Sequence, residues 1–151
     1  MKLVARTRAE VLSTLDALPP EIREQMSPKW LAMLAASAPQ DPWVHGFNIV
    51  NADGAPVGLA SFKGPPIDGQ VEIAYAVEPQ QQGKGFASGA ARLLVEFALA
   101  SGKVTAVCAH TLPDGIASQR VLAKAGFEKA GEVIDPEDGL VWRYQWRRAA
   151  G

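Results

Sequence analysis

The spacing of apolar residues changes along this chain, and the change predicts its elements. Lys2 to Ala5 reads as a short strand, and Thr7 as the N-cap of an amphipathic helix carrying Val11, Leu12 and Leu15 on one face. Pro19-Pro20 breaks that helix. Ser27-Pro28 is a second start, a cap followed by proline at the first helical position, with Trp30, Leu31, Met33 and Leu34 forming an apolar face to about Ala36. From Phe47 the pattern becomes that of strands. Phe47 to Val50, the turn from Asn51 to Gly54, and Val57 to Phe62 predict a hairpin, and Gln70 to Val77 a further strand after Gly64-Pro65-Pro66. Pro79 cannot donate to a ladder and ends that strand; Gly85 to Leu99 then places Ala90, Leu93, Leu94 and Phe97 on one helical face. Val104 to Ala109 is apolar apart from Thr105, as a central strand buried on both faces should be. Ile116 to Ala125 predicts a helix stopped by Gly126. Phe127 to Val133 and Leu140 to Trp146 close the chain as two strands around a loop holding Asp135, Pro136, Asp138 and Gly139. Trp142, Tyr144 and Trp146 alternate as one strand face and read as core or wall.

Length and charge narrow the picture. A chain of 151 residues suits one domain, residues 1–151, with a single continuous core. A net charge of -1 gives no global basic field, so neither nucleic acid nor an anionic membrane is an expected partner. Arg143, Arg147 and Arg148 form the only like-charged cluster and read as a solvated strand edge and tail. The lone Cys108 excludes an internal disulfide, fits a reducing compartment and reads as a small buried hydrophobe. The N-terminal stretch lacks an apolar segment of signal-peptide length, and no run approaches the ~18 apolar residues that cross a bilayer. The expected location is the cytoplasm.

The candidate chemistry sits between the predicted Gln70 to Val77 strand and the long helix. There Gln80-Gln81-Gln82-Gly83-Lys84-Gly85-Phe86-Ala87 places peptide N–H groups in a first helical turn, where donors are unsatisfied and the dipole favours negative charge. Glycines at 83 and 85 let a ligand approach the backbone, Lys84 adds a cation, and a pyrophosphate is the anion that fits. A P-loop is excluded, because Lys84 is followed by Gly85 and Phe86 rather than Ser or Thr. The dinucleotide fingerprint is weakened by Ser88, which stands where its third Gly or Ala belongs.

Gln80, Gly83 and Gly85 match the pattern Gln/Arg-x-x-Gly-x-Gly/Ala at a strand-to-helix turn, and the stretch resembles the signature of the GNAT N-acetyltransferases. The resemblance runs through Glu72-Ile-Ala-Tyr75, Val77-Glu-Pro79 and Ser118 to Phe127, covers about two-thirds of the chain, and is nearest the ribosomal-protein and small-amine acetyltransferase branch. It implies an α/β (α+β) fold: a mixed, mostly antiparallel central sheet with flanking helices, whose fourth and fifth strands splay to admit the pantetheine of acetyl-CoA. By position, the backbone of Tyr75, Ala76 and Val77 would bond the pantetheine. The main-chain amides of Gln82, Gly83, Lys84, Gly85, Phe86 and Ala87 would hold the pyrophosphate, and Ser118 would touch the pantetheine or sulfur end. The implied activity is transfer of an acetyl group from acetyl-CoA to a primary amine, of a small molecule or a protein, by direct attack in a ternary complex. A homodimer is left open.

Such a transfer needs a neutral amine, a polarised carbonyl and a route out for the thiolate. Backbone N–H groups near Ala76 and Val77 are candidates for the carbonyl. Glu72, Ala74 and Ala76 share a strand face, the alanines leaving room for substrate, so Glu72 is the candidate base; its alternative reading is a carboxylate paired with a neighbouring Lys or Arg. His110 is the reserve base, with backbone bonding at a strand end as its alternative, and Glu78, before proline, suits turn duty. Many family members carry a tyrosine on the later helix to protonate the thiolate; here that position is Leu122, and a position often Asn is Gly115. Water or Ser118 would then act as the acid. His45, His110 and Cys108 show no metal-ligand spacing, so no metal is expected. Two other readings stay open: a CoA-binding or sensing module of the same fold without turnover, and a nucleotide-binding domain, which Ser88 disfavours. The N-terminal helices and the loops around Trp43 and Pro65-Pro66 would select the acceptor.

Overall fold

Caps and prolines set the helices of the first third in this computed structural model, which describes residues 1–136 and 138–147. Thr7 caps α1 (Arg8–Asp16) by accepting from the Glu10 N–H at 3.1 Å, and Ser27 caps α3 (Pro28–Ala36) by accepting from that of Trp30 at 3.3 Å. Two further helices, α2 (Pro20–Glu24) and α4 (Pro42–His45), were not expected. Both begin on proline, whose missing N–H is no loss at the first helical position, so the Pro19-Pro20 break is also a start. Val11, Leu15, Leu34 and Val44 bury together as a small second core.

The strands are β1 (Lys2–Ala5), β2 (Phe47–Val50), β3 (Pro56–Phe62), β4 (Gln70–Val77), β5 (Ala106–Thr111), β6 (Glu128–Asp135) and β7 (Gly139–Arg147). They form one mixed, mostly antiparallel sheet of order β1-β2-β3-β4-β5-β7-β6, in which only β4 and β5 run parallel. Two longer helices cross it, α5 (Phe86–Ala100) after β4 and α6 (Ile116–Lys124) after β5. The fully buried face of α5, Ala90, Ala91, Leu94 and Ala98, joins Ile49, Ile73, Val107 and Leu122 in the main core. Trp142 and Trp146 of β7 pack against that core around the buried Tyr144, as their alternation implies. Arg148 lies outside the described residues.

β5 starts two residues later than the apolar run suggests. Val104 is buried, but the N–H groups of Thr105 and Ala106 both go to the Gly69 carbonyl, at 2.7 and 3.2 Å, before the register with β4 begins. That register is short: β4 and β5 pair from Gln70↔Ala106 to Glu72↔Cys108 and no further. The fourth and fifth strands splay from Ile73 onward.

Candidate functional site

The splay exposes a row of backbone groups. Lys63 N–H donates to the Glu72 carbonyl at 2.8 Å and Glu78 N–H to that of Val57 at 2.9 Å, so the even-numbered residues of β4 turn their polar backbone toward β3. By alternation, the N–H and C=O of Ile73, Tyr75 and Val77 face the gap that β5 leaves. Gln82 Nε2 donates to the Val77 carbonyl at 3.1 Å and ties the strand end to the turn that follows.

After the single 3-10 turn Pro79–Gln81, Gly83 (φ 78°) and Gly85 (φ 85°) take the left-handed conformation that other residues adopt only under strain. Gly85 stands at the N-cap of α5, and no other backbone carbonyl among the described residues takes the N–H groups from Gly83 to Ser88. A cleft of about 550 Å³ unites these features: Tyr75, Ala76 and Val77 form one wall, Gln82, Gly83, Gly85, Phe86 and Ala87 the turn, and Ser118 the α6 side. Lys84 is the exception among the expected residues. Its Nζ donates to Gln81 Oε1 at 3.2 Å and it does not line the cleft. Cations come instead from Arg120 and Lys124, one turn apart on α6, which the sequence reading missed; their i, i+4 spacing was the available signal. Unpaired amides at the start of a 15-residue helix, with two cations opposite, fit a pyrophosphate.

Tyr75 lines the β4 wall of this cleft. Burial pushes its phenol up from the ordinary tyrosine range, partly offset by a hydrogen bond with Ser118. Leu122 is fully buried in the core and offers the cleft nothing.

On the opposite sheet face, Glu72 Oε2 accepts from both Lys63 Nζ and His110 Nδ1, each at 2.9 Å. The expected base is therefore one member of a cluster, including the pairing with lysine that was its alternative reading. A carboxylate only accepts, so Nδ1 carries the proton and Nε2 of neutral His110 is the acceptor. Glu72, His110 and Lys63 together line two spaces, of about 250 and 400 Å³. Glu72 and Ser118 do not meet in one cleft. Lys63 also lines a third space, about 600 Å³, between the N-terminal helices and β3. Ala74 lines that space, and Tyr75, the next residue of β4, lines the 550 Å³ cleft. Trp43, expected near the acceptor, instead packs in the core, its ring 4.6 Å from Phe62 and 5.3 Å from Phe97.

Cys108 lies beside this cluster, and burial raises its thiol; Glu72 adds to the rise while Arg143 and Lys63 oppose it. Cys108 and Tyr75 both hold their protons more tightly folded than unfolded. The stability they lend is complete below their unfolded values and is lost as pH rises through the folded ones, so the expected decline starts at about pH 9 for the thiol and about pH 10 for the phenol. Urea midpoints at pH 8 and 10.5 check this: the midpoint falls between them, and Cys108→Ala makes the fall smaller.

Among the described residues no helix is long and apolar enough to cross a membrane, and no three His, Cys, Asp or Glu side chains group as metal ligands.

A sheet opened between its only parallel strands, with an amide-rich turn at the head of the next helix, defines a class of proteins that receive an extended, phosphate-bearing cofactor. The chain belongs to the GNAT acetyltransferase family, whose domain model matches residues 3–128. It is 39% identical over 59 residues to a probable N-acetyltransferase, YjcK, of Bacillus subtilis, covering 39% of this chain and 33% of that protein. It is 35% identical over 69 residues to a kanamycin resistance protein of Rhizobium radiobacter, covering 46% and 64%. The matched stretch thus spans less than two-thirds of these relatives. Aminoglycoside acetyltransferase AAC(6')-Ib, in complex with coenzyme A and kanamycin, shares the fold with a TM-score of 0.71 at 24% identity, covering 97% of this chain and 94% of that one. A spermidine N-acetyltransferase chimera from Vibrio cholerae and hSSAT gives a TM-score of 0.71 at 17% identity, covering 96% and 94%.

Proposed function

We propose that this chain moves the acetyl group of acetyl-CoA to a primary amine by direct attack in a ternary complex. The observation that carries the reading is the early end of β4–β5 pairing at Glu72↔Cys108, which leaves unpaired backbone beside an amide-rich turn in one cleft. Complexes of fold neighbours with coenzyme A support the same cofactor here. The backbone of Tyr75 and Val77 holds the pantetheine by strand-like bonds, the amides from Gly83 to Ala87 hold the pyrophosphate, and Arg120 and Lys124 offset its charge.

The amine nitrogen attacks the thioester carbonyl carbon; a C–N bond forms, the C–S bond breaks, and the electron pair leaves on sulfur. His110 Nε2 takes the amine proton, and Glu72 fixes the ring through Nδ1–H and stabilises the imidazolium. The hydroxyls of Tyr75 and Ser118, both on the cleft, relay a proton from solvent to the thiolate, the task for which Leu122 is unsuited. Raised by burial, the Tyr75 phenol stays protonated across the neutral range.

Thermal unfolding with acetyl-CoA, CoA, NADH and ATP tests the donor site. At a ligand concentration about 100 times Kd the expected stabilisation is about 2.7 kcal/mol, a shift of roughly 5 to 10 °C. A shift with the CoA species alone, followed by amine-dependent release of thiol, supports the reading. A shift with NADH or ATP alone overturns it, and CoA binding without turnover of any amine leaves a sensing module.

A further inference from the structure

We infer that the acceptor is an amphiphilic amino acid in the broad sense: a primary amine joined by an apolar spacer to a carboxylate. The inference rests on the acetyl-transfer reading and names the substrate class of that site. Its basis is the roughly 600 Å³ cleft under the N-terminal helices, whose walls are apolar, with Leu15, Leu18, Met26, Trp30 and Met33 among them. The charged side chains lining it are Arg6, Lys29 and Lys63, and none of its described lining residues is Asp or Glu. Lys63 is offset by Glu72 at 2.9 Å; the exposed Lys29 lines the cleft and has no ion pair among the described residues. A polyamine would meet lining charges of its own sign only, at the mouth and wall of an apolar cleft, which raises its cost of entry. The same field lowers the proton affinity of a bound amine, and only the neutral amine attacks.

Arg6 is the anchor for the opposite charge. Its side chain is 13% exposed, and its Nη2 donates to Thr14 Oγ1 at 2.9 Å. Its buried Nε has no hydrogen-bond partner among the described residues; it forms a loose ion pair with the half-exposed Glu10, whose Oε2 is 3.9 Å away. A carboxylate on the guanidinium fork meets an unspent donor.

The sheet sets the length of the acceptor. Arg6 N–H bonds the Gly46 carbonyl, Gly46 abuts Ser61, and Ser61 pairs with Ala74, so Arg6, Gly46, Ser61 and Ala74 form one row across four strands. Three strand spacings put Arg6 and Ala74 about 14 Å apart at the backbone. The residues between are small, and a Cβ on Gly46 would come within 2.9 Å of the Ala60 carbonyl and Ser61 Cβ. With the arginine side chain spanning part of the row, an amine held beside Ala74 stands on the order of 7 to 10 Å from a carboxylate on the Arg6 fork. An α-amino acid is too short.

The experiment is a kinetic series read by thiol release: glycine, 4-aminobutanoate, 6-aminohexanoate and 8-aminooctanoate, against hexylamine, 1,6-diaminohexane, spermidine and kanamycin. kcat/KM is expected to peak at the six- or eight-carbon acid, about 10-fold above hexylamine and about 100-fold above the diamine. Arg6→Met should bring the acid-to-hexylamine ratio near one, and Arg6→Lys should restore part of it; the acetyl-CoA thermal shift shows that each variant is folded. Preference for spermidine, kanamycin or the diamine, or equal use of acid and hexylamine, overturns the inference while acetyl transfer stands. If no amine is acetylated, calorimetry in the presence of CoA decides: binding of 6-aminohexanoate but not the diamine upholds the cleft assignment while acetyl transfer fails, and its absence at millimolar concentration overturns the assignment.

Discussion

His110→Ala is expected to lower kcat for acetyl transfer about 100- to 1,000-fold, the range that a positioned general base contributes, with little change in acetyl-CoA affinity. The argument is geometric. Glu72 and His110 project from adjacent strands beside the last paired position, Glu72↔Cys108, where the sheet begins to open. One carboxylate oxygen holds two donors, Lys63 Nζ and His110 Nδ1, so Glu72 already satisfies neighbours and His110 presents the open nitrogen. Glu72→Gln should fall between the variant and the native chain. A glutamine carbonyl still accepts from Nδ1–H and keeps the tautomer, but it no longer balances the imidazolium or Lys63. The measurement is kcat against pH from 6 to 9. Removing the imidazole should lower kcat at every pH in that range while acetyl-CoA affinity stays close to native. Full turnover by His110→Ala across that range would return the role to Glu72 or to water.

The residues that carry this prediction show where the sequence was legible. Glu72 was singled out, as the candidate base, because Ala74 and Ala76 share its face, a matter of strand period alone. His110 stood in reserve because its partnership depends on the parallel register of β4 with β5, which places Cys108 beside Glu72 and the histidine two residues on. That register is set by the Gly69 carbonyl holding Thr105 and Ala106, a contact across 36 residues of sequence for Thr105, with no local signal. The turn from Gly83 to Ala87 was legible for the opposite reason: two glycines, a preceding proline and a following apolar helix are local facts. The short helices α2 and α4 were lost because Pro20 and Pro42 were not read as helix starts in the way that Pro28 was. Lys84 shows the limit of motif reading. A lysine within an anion-binding turn invites a direct role, yet its side chain turns to Gln81 and the cations on the cleft belong to α6.

Gly85→Val is expected to weaken acetyl-CoA binding about 100-fold or more, or about 2.7 kcal/mol, while leaving kcat close to native at saturating donor. Space is not the obstacle, since a Cβ built on Gly85 meets nothing within 4 Å. Conformation is. At φ 85° an L-residue pays about 1 to 2 kcal/mol, and a β-branched one more, so valine relaxes the turn toward negative φ. Gly85 is the N-cap of α5, and the peptide planes on either side of it carry the N–H groups of Gly85 and Phe86. Rotating them takes those donors off the cleft and disturbs the others from Gly83 to Ser88, none of which has a backbone acceptor within the described chain. Gly54→Val supplies the control. Gly54 has φ 81° and equally open space around its Cβ, but it sits in the β2–β3 turn, away from the cleft. Both variants should lower Tm by comparable amounts; only Gly85→Val should lower affinity in calorimetry. Equal affinity loss in the two would trace the effect to general destabilisation, and none in either would show that the cofactor is not held by these amides.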